Sequence, residues 1–283
     1  VFSSVIASVT GAMTALRSQQ GDSKKQFWLL RRYLKSKNIK AETRARLVKF
    51  LEHQVALKQG TINPVDITIL SFLSGPLRDL LAYELNKSFL LQHPLFSFLE
   101  QTMQPVIIRL CESENLRARL FAVEDVVFVT GEKSTEMYFA KSGTFDYTHR
   151  ATAETKEVEL GSSISEYSLW THWWHHGQLK CTSPGELAMI KPQAFATLAQ
   201  VHPWSARFCA QYAGLVLLLL NEMETGEPSD LTDDILAEDM VRQAVDELGD
   251  HAPELWSPQQ LMDAQAQTRL ASEDPETRKL SSH

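Results

Sequence analysis

Residues 118–149, ARLFAVEDVVFVTGEKSTEMYFAKSGTFDYTH, decide the fold. Short runs rich in β-branched and aromatic residues (VVFVT at 126–130, MYFAKSG at 137–143, TFDYTH at 144–149) alternate with Gly131-Glu132 and Ser142-Gly143. Strand-length runs at this spacing, closed by glycine turns, predict a compact antiparallel roll or barrel. EVELG (157–161) and LKCTSPGELAMI (179–190) extend the series.

On either side the period changes from strand to helix. Upstream, 100–111 and 77–91 carry apolar residues at three- and four-residue steps, with Ser74-Gly75-Pro76 and His93-Pro94 as punctuation. Downstream, helix returns at Pro192, and Phe195, Leu198 and Val201 lead into AGLVLLLL (213–220). That run is short for a membrane span and reads as the core side of a helix packed on the strands. The fold class is therefore α+β.

Charge is segregated along the chain. The net charge is −7, yet residues 1–60 sum to +9 and residues 221–283 to −12. Val1–Leu16, VFSSVIASVTGAMTAL, carries no charge and is rich in Ser, Thr, Ala and Gly. Small residues are what closely packed membrane helices need. The run falls short of the ~20 residues that span a bilayer, and since it begins with Val the reading expects residues ahead of it. The basic residues from Arg17 onward fit the cytoplasmic flank of such a helix. Between Lys24 and Gln59, Phe27, Leu30, Leu34, Leu47, Phe50, Leu51 and Val55 mark two helices broken at Asn38. Basic helices without aromatic interleaving or a recognition motif do not point to nucleic acid. A surface facing anionic lipid accounts for the charge.

Several chemistries lack their residues. Cys111, Cys181 and Cys209 are odd in number and far apart, as in a reduced cytosolic protein. Cys181 with His175 or His176 has no third orienting group, and neither a GxSxG nor a Gly-rich phosphate loop is present, so no enzyme is expected. In WTHWWHHG (170–177), His172, His175 and His176 offer imidazoles without further ligands at metal spacing, so no metal is expected. Its tryptophans, Trp170, Trp173 and Trp174, could stack on a base. The preferred reading has them packing on the strands and filling a ligand pocket with the protein's own side chains.

VVFVTGE…MYFAKSGTFDY resembles the strand core of the cyclic-nucleotide-binding domain superfamily, and GSSISEYSL (161–169) resembles its phosphate-binding cassette. FWLLRRYLKSKNI (27–39) with RLVKFLEHQ (46–54) is similar to the linker of voltage- and cyclic-nucleotide-gated cation channels, the hyperpolarisation-activated and ether-à-go-go types among them. VFSSVIASVTGAMTALR (1–17) is similar to the end of their pore-lining helix.

The resemblance covers about residues 1–225 and implies four parts: pore-helix end at 1–17, helical linker at 18–100, cyclic-nucleotide-binding-like β-roll at 101–225, and an acidic, partly disordered tail at 226–283. It further implies the cytoplasmic gating region of a membrane channel for potassium or monovalent cations generally. Its partners are then other subunits of a homo- or heterotetramer and membrane lipid at the basic linker. A soluble cyclic-nucleotide sensor or kinase-regulatory subunit, which shares this domain, is the alternative.

For the ligand site the resemblance implies Ser165, Glu166, His175 and His176. Glu166 stands where the family's glutamate accepts the ribose hydroxyl, while Ser165 replaces the preceding glycine. His175-His176 fall where the family has its phosphate-binding Arg-Ser/Thr pair. Imidazole does not supply a permanent bidentate fork, and losing one charge-assisted contact weakens binding by about a hundredfold or more. No cofactor is expected. cAMP or cGMP, the ligands of the family, would bind weakly and better at acid pH.

Overall fold

A computed structural model describes residues 24–60, 67–222 and 228–248. The chain divides into two compact units, the first ending at Phe72 and the second beginning at Leu73.

The first unit contains helix α1 over 24–36 and helix α2, Ala41–Gly60, followed by a 3-10 turn at Thr68–Phe72. The break expected at Asn38 is present: Asn38 takes a left-handed conformation (φ 57°) that its short polar side chain tolerates. Arg31 on α1 reaches Glu52 on α2 at 2.7 Å across the turn. Exposed pairs of this kind contribute little to stability; Leu34, buried, supplies the apolar contact of α1.

In the second unit helices α3 (Gly75–Leu90) and α4 (Pro94–Leu110) precede the strands. α4 is kinked at Met103 (φ −145°, ψ 53°), two residues before Pro105, whose ring removes the amide that would bond to residue 101. The strands follow as β1 (Leu116–Phe121), β2 (Val126–Phe128), β3 (Met137–His149), β4 (Thr155–Val158), β5 (Ser163–Ile164) and β6 (Gly177–Ile190). They form one six-stranded sheet in which every pairing is antiparallel: β1-β6-β3-β4 in order, with β2 added on β6 and β5 on β3. Helices α5 (Pro192–Ala199), α6 (Pro203–Glu222) and α7 (Asp234–Leu248) complete it. The architecture is α+β.

Alternation along β3 and β6 builds two cores at once, because successive side chains leave a strand on opposite faces. Met137 and Phe139 of β3, with Ala188 and Ile190 of β6, pack against Phe89, Leu95, Phe96 and Leu99 of α3 and α4. Tyr138, Ala140, Phe145, Tyr147, Leu179, Cys181, Leu187 and Met189 turn to a second cluster with Phe121 and Phe128.

One expectation changes. The Ser142-Gly143 turn does not divide two strands; β3 runs through it, absorbing the change as register shifts against β6 between Ala140 and Phe145. Gly143 (φ 80°) is needed there, since a Cβ would lie 2.4 Å from the Cα of Gly185 on β6. The division between the two compact units falls at 72–73, and α3 and α4 share one apolar cluster with the strands. Beyond 225, α7 buries Val241 and Ala244 against the same cluster, and Ala237 is buried as well.

The expected pore-helix end, 1–17, lies outside the described residues. Among the described residues no helix is long and apolar enough to cross a membrane. In α6, Leu215 and Val216 are buried whereas Leu217 and Leu218 are exposed, the amphipathic pattern of a helix lying on a core.

Candidate functional site

Two buried carboxylates organise the polar interior, one expected and one not. Glu166 opens a short 3-10 helix (Glu166–Leu169) immediately after Ser165, which adopts a left-handed conformation (φ 61°, ψ 36°). Glycine takes that conformation freely, so the serine keeps a glycine-like backbone turn at a steric cost.

The Glu166 side chain turns away from the neighbouring segment 173–177. Its Oε2 accepts from His93 Nε2 at 3.0 Å, and its Oε1 accepts from the Tyr212 hydroxyl at 2.8 Å and Trp170 Nε1 at 3.4 Å. One carboxylate therefore ties the start of α4, the middle of α6 and the strand-linking segment together. Burial alone pushes the Glu166 carboxyl up. Attraction to His93 and the hydrogen bonds from His93, Tyr212 and Trp170 outweigh it and hold the group below the usual carboxylate range. Both oxygens thus take donors from within the chain.

The other three expected residues meet around Asp230, which lies between α6 and α7 and is 1% exposed. Its Oδ1 accepts from Trp173 Nε1 at 2.7 Å and His175 Nδ1 at 3.0 Å. Its Oδ2 accepts from the His176 backbone N–H at 2.7 Å, the Gly177 N–H at 2.9 Å and the Tyr147 hydroxyl at 2.8 Å. The Asp230 carbonyl accepts the Ser165 N–H at 2.6 Å, and the Asp230 N–H donates to the Tyr147 oxygen at 3.1 Å. Ser165 Oγ lies 3.2 Å from His175 Nδ1. On either side Leu231 bridges Ile164, and the Thr232 N–H bonds to the Ser163 carbonyl.

The cradle is closely packed. His175 stacks on Phe128 with centroids 3.6 Å apart and planes within 5°. Trp173 packs on Tyr167 and His176. Gly177 permits the closest approach, for a Cβ there would lie 2.4 Å from the Tyr147 ring. Burial raises the Asp230 carboxyl, but the bond from His175, the bond from Trp173, the pull of His175 and the Tyr147 hydroxyl bring it below the usual range. Burial keeps the Tyr147 phenol protonated, as a donor must be.

The insert 170–177 divides by role. Trp170 packs between Phe195 and Tyr212, Trp173 is buried on Asp230, and Trp174 is half-exposed. His172 is exposed while His175 is buried, so the histidines diverge; among the described residues no three His, Cys, Asp or Glu side chains converge to hold a metal. Cys181 is buried, its thiol donating to the Ser183 carbonyl and pushed up to about 11 by burial, the opposite of an activated nucleophile.

Asp230, Tyr147, His93 and Tyr212 were not singled out from the sequence. Asp230, two residues after Pro228, is one acid among 16 in residues 221–283, and nothing in its spacing marks it.

Compared with known proteins, the chain matches no protein-family model and no curated protein.

Proposed function

We propose that the chain is the cytoplasmic gating region of a voltage-gated cation channel, conducting potassium or monovalent cations without selection, with its six strands forming a cyclic-nucleotide-binding-type β-roll. The order of the parts supports this reading: an uncharged small-residue segment, a basic helical pair, then antiparallel strands held between helices. In it the channel is a homo- or heterotetramer, and the basic pair faces anionic lipid.

One observation carries the functional detail. His175 and His176, expected at the ligand's anionic group, and Ser165 of the same expected site all bond to Asp230 of the same chain. A carboxylate here takes the place of a phosphate, and the domain holds itself in a ligand-occupied form without nucleotide. Gating then follows voltage or subunit contacts rather than cAMP or cGMP.

The test is expression of the full open reading frame in oocytes with patch recording, beside titration of the chain with fluorescent cAMP and cGMP. Cation currents indifferent to either nucleotide, with voltage dependence moved by Asp230→Ala, are the expected result. Saturable low-micromolar nucleotide binding by the unaltered chain at neutral pH would overturn the self-occupied site. A soluble product without current would favour the sensor or kinase-regulatory reading.

A further inference from the structure

The groups around Asp230 suit its head group closely. Five donors reach two oxygens: Trp173 Nε1 and His175 Nδ1 on one, the Tyr147 hydroxyl and the N–H groups of His176 and Gly177 on the other. None of the five is Arg or Lys, and only the imidazole can carry charge. A multiply charged phosphate buried here would lack compensating cations, whereas a carboxylate brings one charge spread over two oxygens. All five donors lie in 147–177, outside the 228–232 segment that carries Asp230. The stacking of His175 on Phe128 and the packing of Gly177 against Tyr147 hold two of them in place independently of that segment. The cradle is therefore a preorganised receptor, and Asp230 is one possible occupant.

We infer that this cradle is a binding site for small organic monocarboxylates, with Asp230 as the tethered competitor that such a ligand displaces. The inference rests on the self-occupied reading above and adds the class of ligand. Occupancy of the cradle by an external carboxylate frees Asp230 and, with it, the two main-chain bonds it makes to Tyr147 and Ser165. The connection between α6 and α7 is then held to the sheet through Leu231 and Thr232. Because tethering gives Asp230 a high effective concentration, the unaltered chain resists simple acids such as acetate.

The experiment is rescue of the full chain carrying Asp230→Ala. Acetate, formate, inorganic phosphate, cAMP and chloride are titrated separately at matched ionic strength. Melting temperature, Trp fluorescence and circular dichroism are the readouts. The expected result is a melting temperature several degrees below the unaltered chain, restored saturably by millimolar acetate or formate and not by chloride or phosphate. Tyr147→Phe in the same background should raise the acetate midpoint several-fold. If Asp230→Ala does not fold in chloride, refolding in acetate is the readout: recovery of native dichroism in acetate alone supports the site, and no recovery overturns it. A folded variant indifferent to acetate and formate also overturns it. If that variant instead binds cAMP, the carboxylate site fails while the self-occupied reading survives; tight cAMP binding by the unaltered chain removes that reading itself.

Discussion

His93 and Glu166 form a pair whose proton position is set by the helix between them and the core. His93 caps α4, its Nδ1 accepting the Leu95 N–H at 3.2 Å, so the proton of the neutral ring sits on Nε2 and points at Glu166 Oε2. The imidazole therefore serves at once as a helix cap and as a donor to a buried anion. Removing the anion leaves three donors, on His93, Tyr212 and Trp170, without an acceptor.

Glu166→Ala should accordingly destabilise the domain by about 3 kcal/mol or more, at about 1–3 kcal/mol for each buried donor left unpaired. Glu166→Gln, which keeps an acceptor oxygen, should lose about 1–3 kcal/mol. Urea denaturation of the purified chain gives both values. A loss below about 1 kcal/mol for the alanine variant would show that the network is not what holds α4 and α6 to the strands.

Acid should unfold the protein through the same groups. Glu166 and Asp230 both have folded pKa values below their unfolded ones. Each contributes stability that is fully present above the ordinary carboxylate range, about 4, and is lost as pH falls through the lowered folded value. Denaturation midpoints measured from pH 7 downward should fall steeply below about pH 4. Asp230→Asn and Glu166→Gln should each flatten that fall. Midpoints that rise on acidification would contradict the assignment.

Gly177→Ala tests the cradle's packing. The added methyl would meet the Tyr147 ring at 2.4 Å and the Thr148 carbonyl at 2.6 Å, neither of which is the free end of a flexible chain. Overpacking should lower stability by about 1–3 kcal/mol. The Tyr147 hydroxyl should shift off Asp230, visible as a changed Trp173 emission.

Ser165 offers a test by ordering. Its left-handed backbone costs a non-glycine residue about 1–2 kcal/mol. Ser165→Ala keeps that cost and loses the hydroxyl beside His175, whereas Ser165→Gly removes the cost against a smaller entropic penalty of about 0.4–1 kcal/mol. The glycine variant should be the more stable by about 1 kcal/mol in thermal melts, and the reverse order would mean that the conformation is not strained.

Thiol titration checks the interior. Cys111, Cys181 and Cys209 are all buried and free, and burial pushes the Cys111 and Cys209 thiols up to about 12. None should react with a thiol reagent until the domain is unfolded, whereupon all three should.

The strands were legible because alternation is a local property. Met137-Tyr138-Phe139-Ala140 reads as strand from its own side chains, whichever neighbour it pairs with. The continuity of β3 through Gly143 was not legible, since it depends on Gly185 lying opposite, 42 positions along the chain and joined only by folding. The site divides the same way. Ser165, His175 and His176 lie in short segments that have a pattern of their own. Asp230 gains its meaning only from a return of the chain to Tyr147, 83 residues earlier, and no window along the sequence contains both. Glu166 shows the converse. Its position was legible, but its direction was set by His93 and Tyr212, which approach from two helices.

The lateness of Asp230 in the chain has a consequence for assembly. During synthesis every strand and helices α3 to α6 are made before residue 230, the acceptor that Tyr147, Trp173 and His175 share in the folded chain. Contacts so distant along the chain are slow to close. The contact of Asp230 with Tyr147 is therefore among the last that a chain made from its N-terminus is able to close.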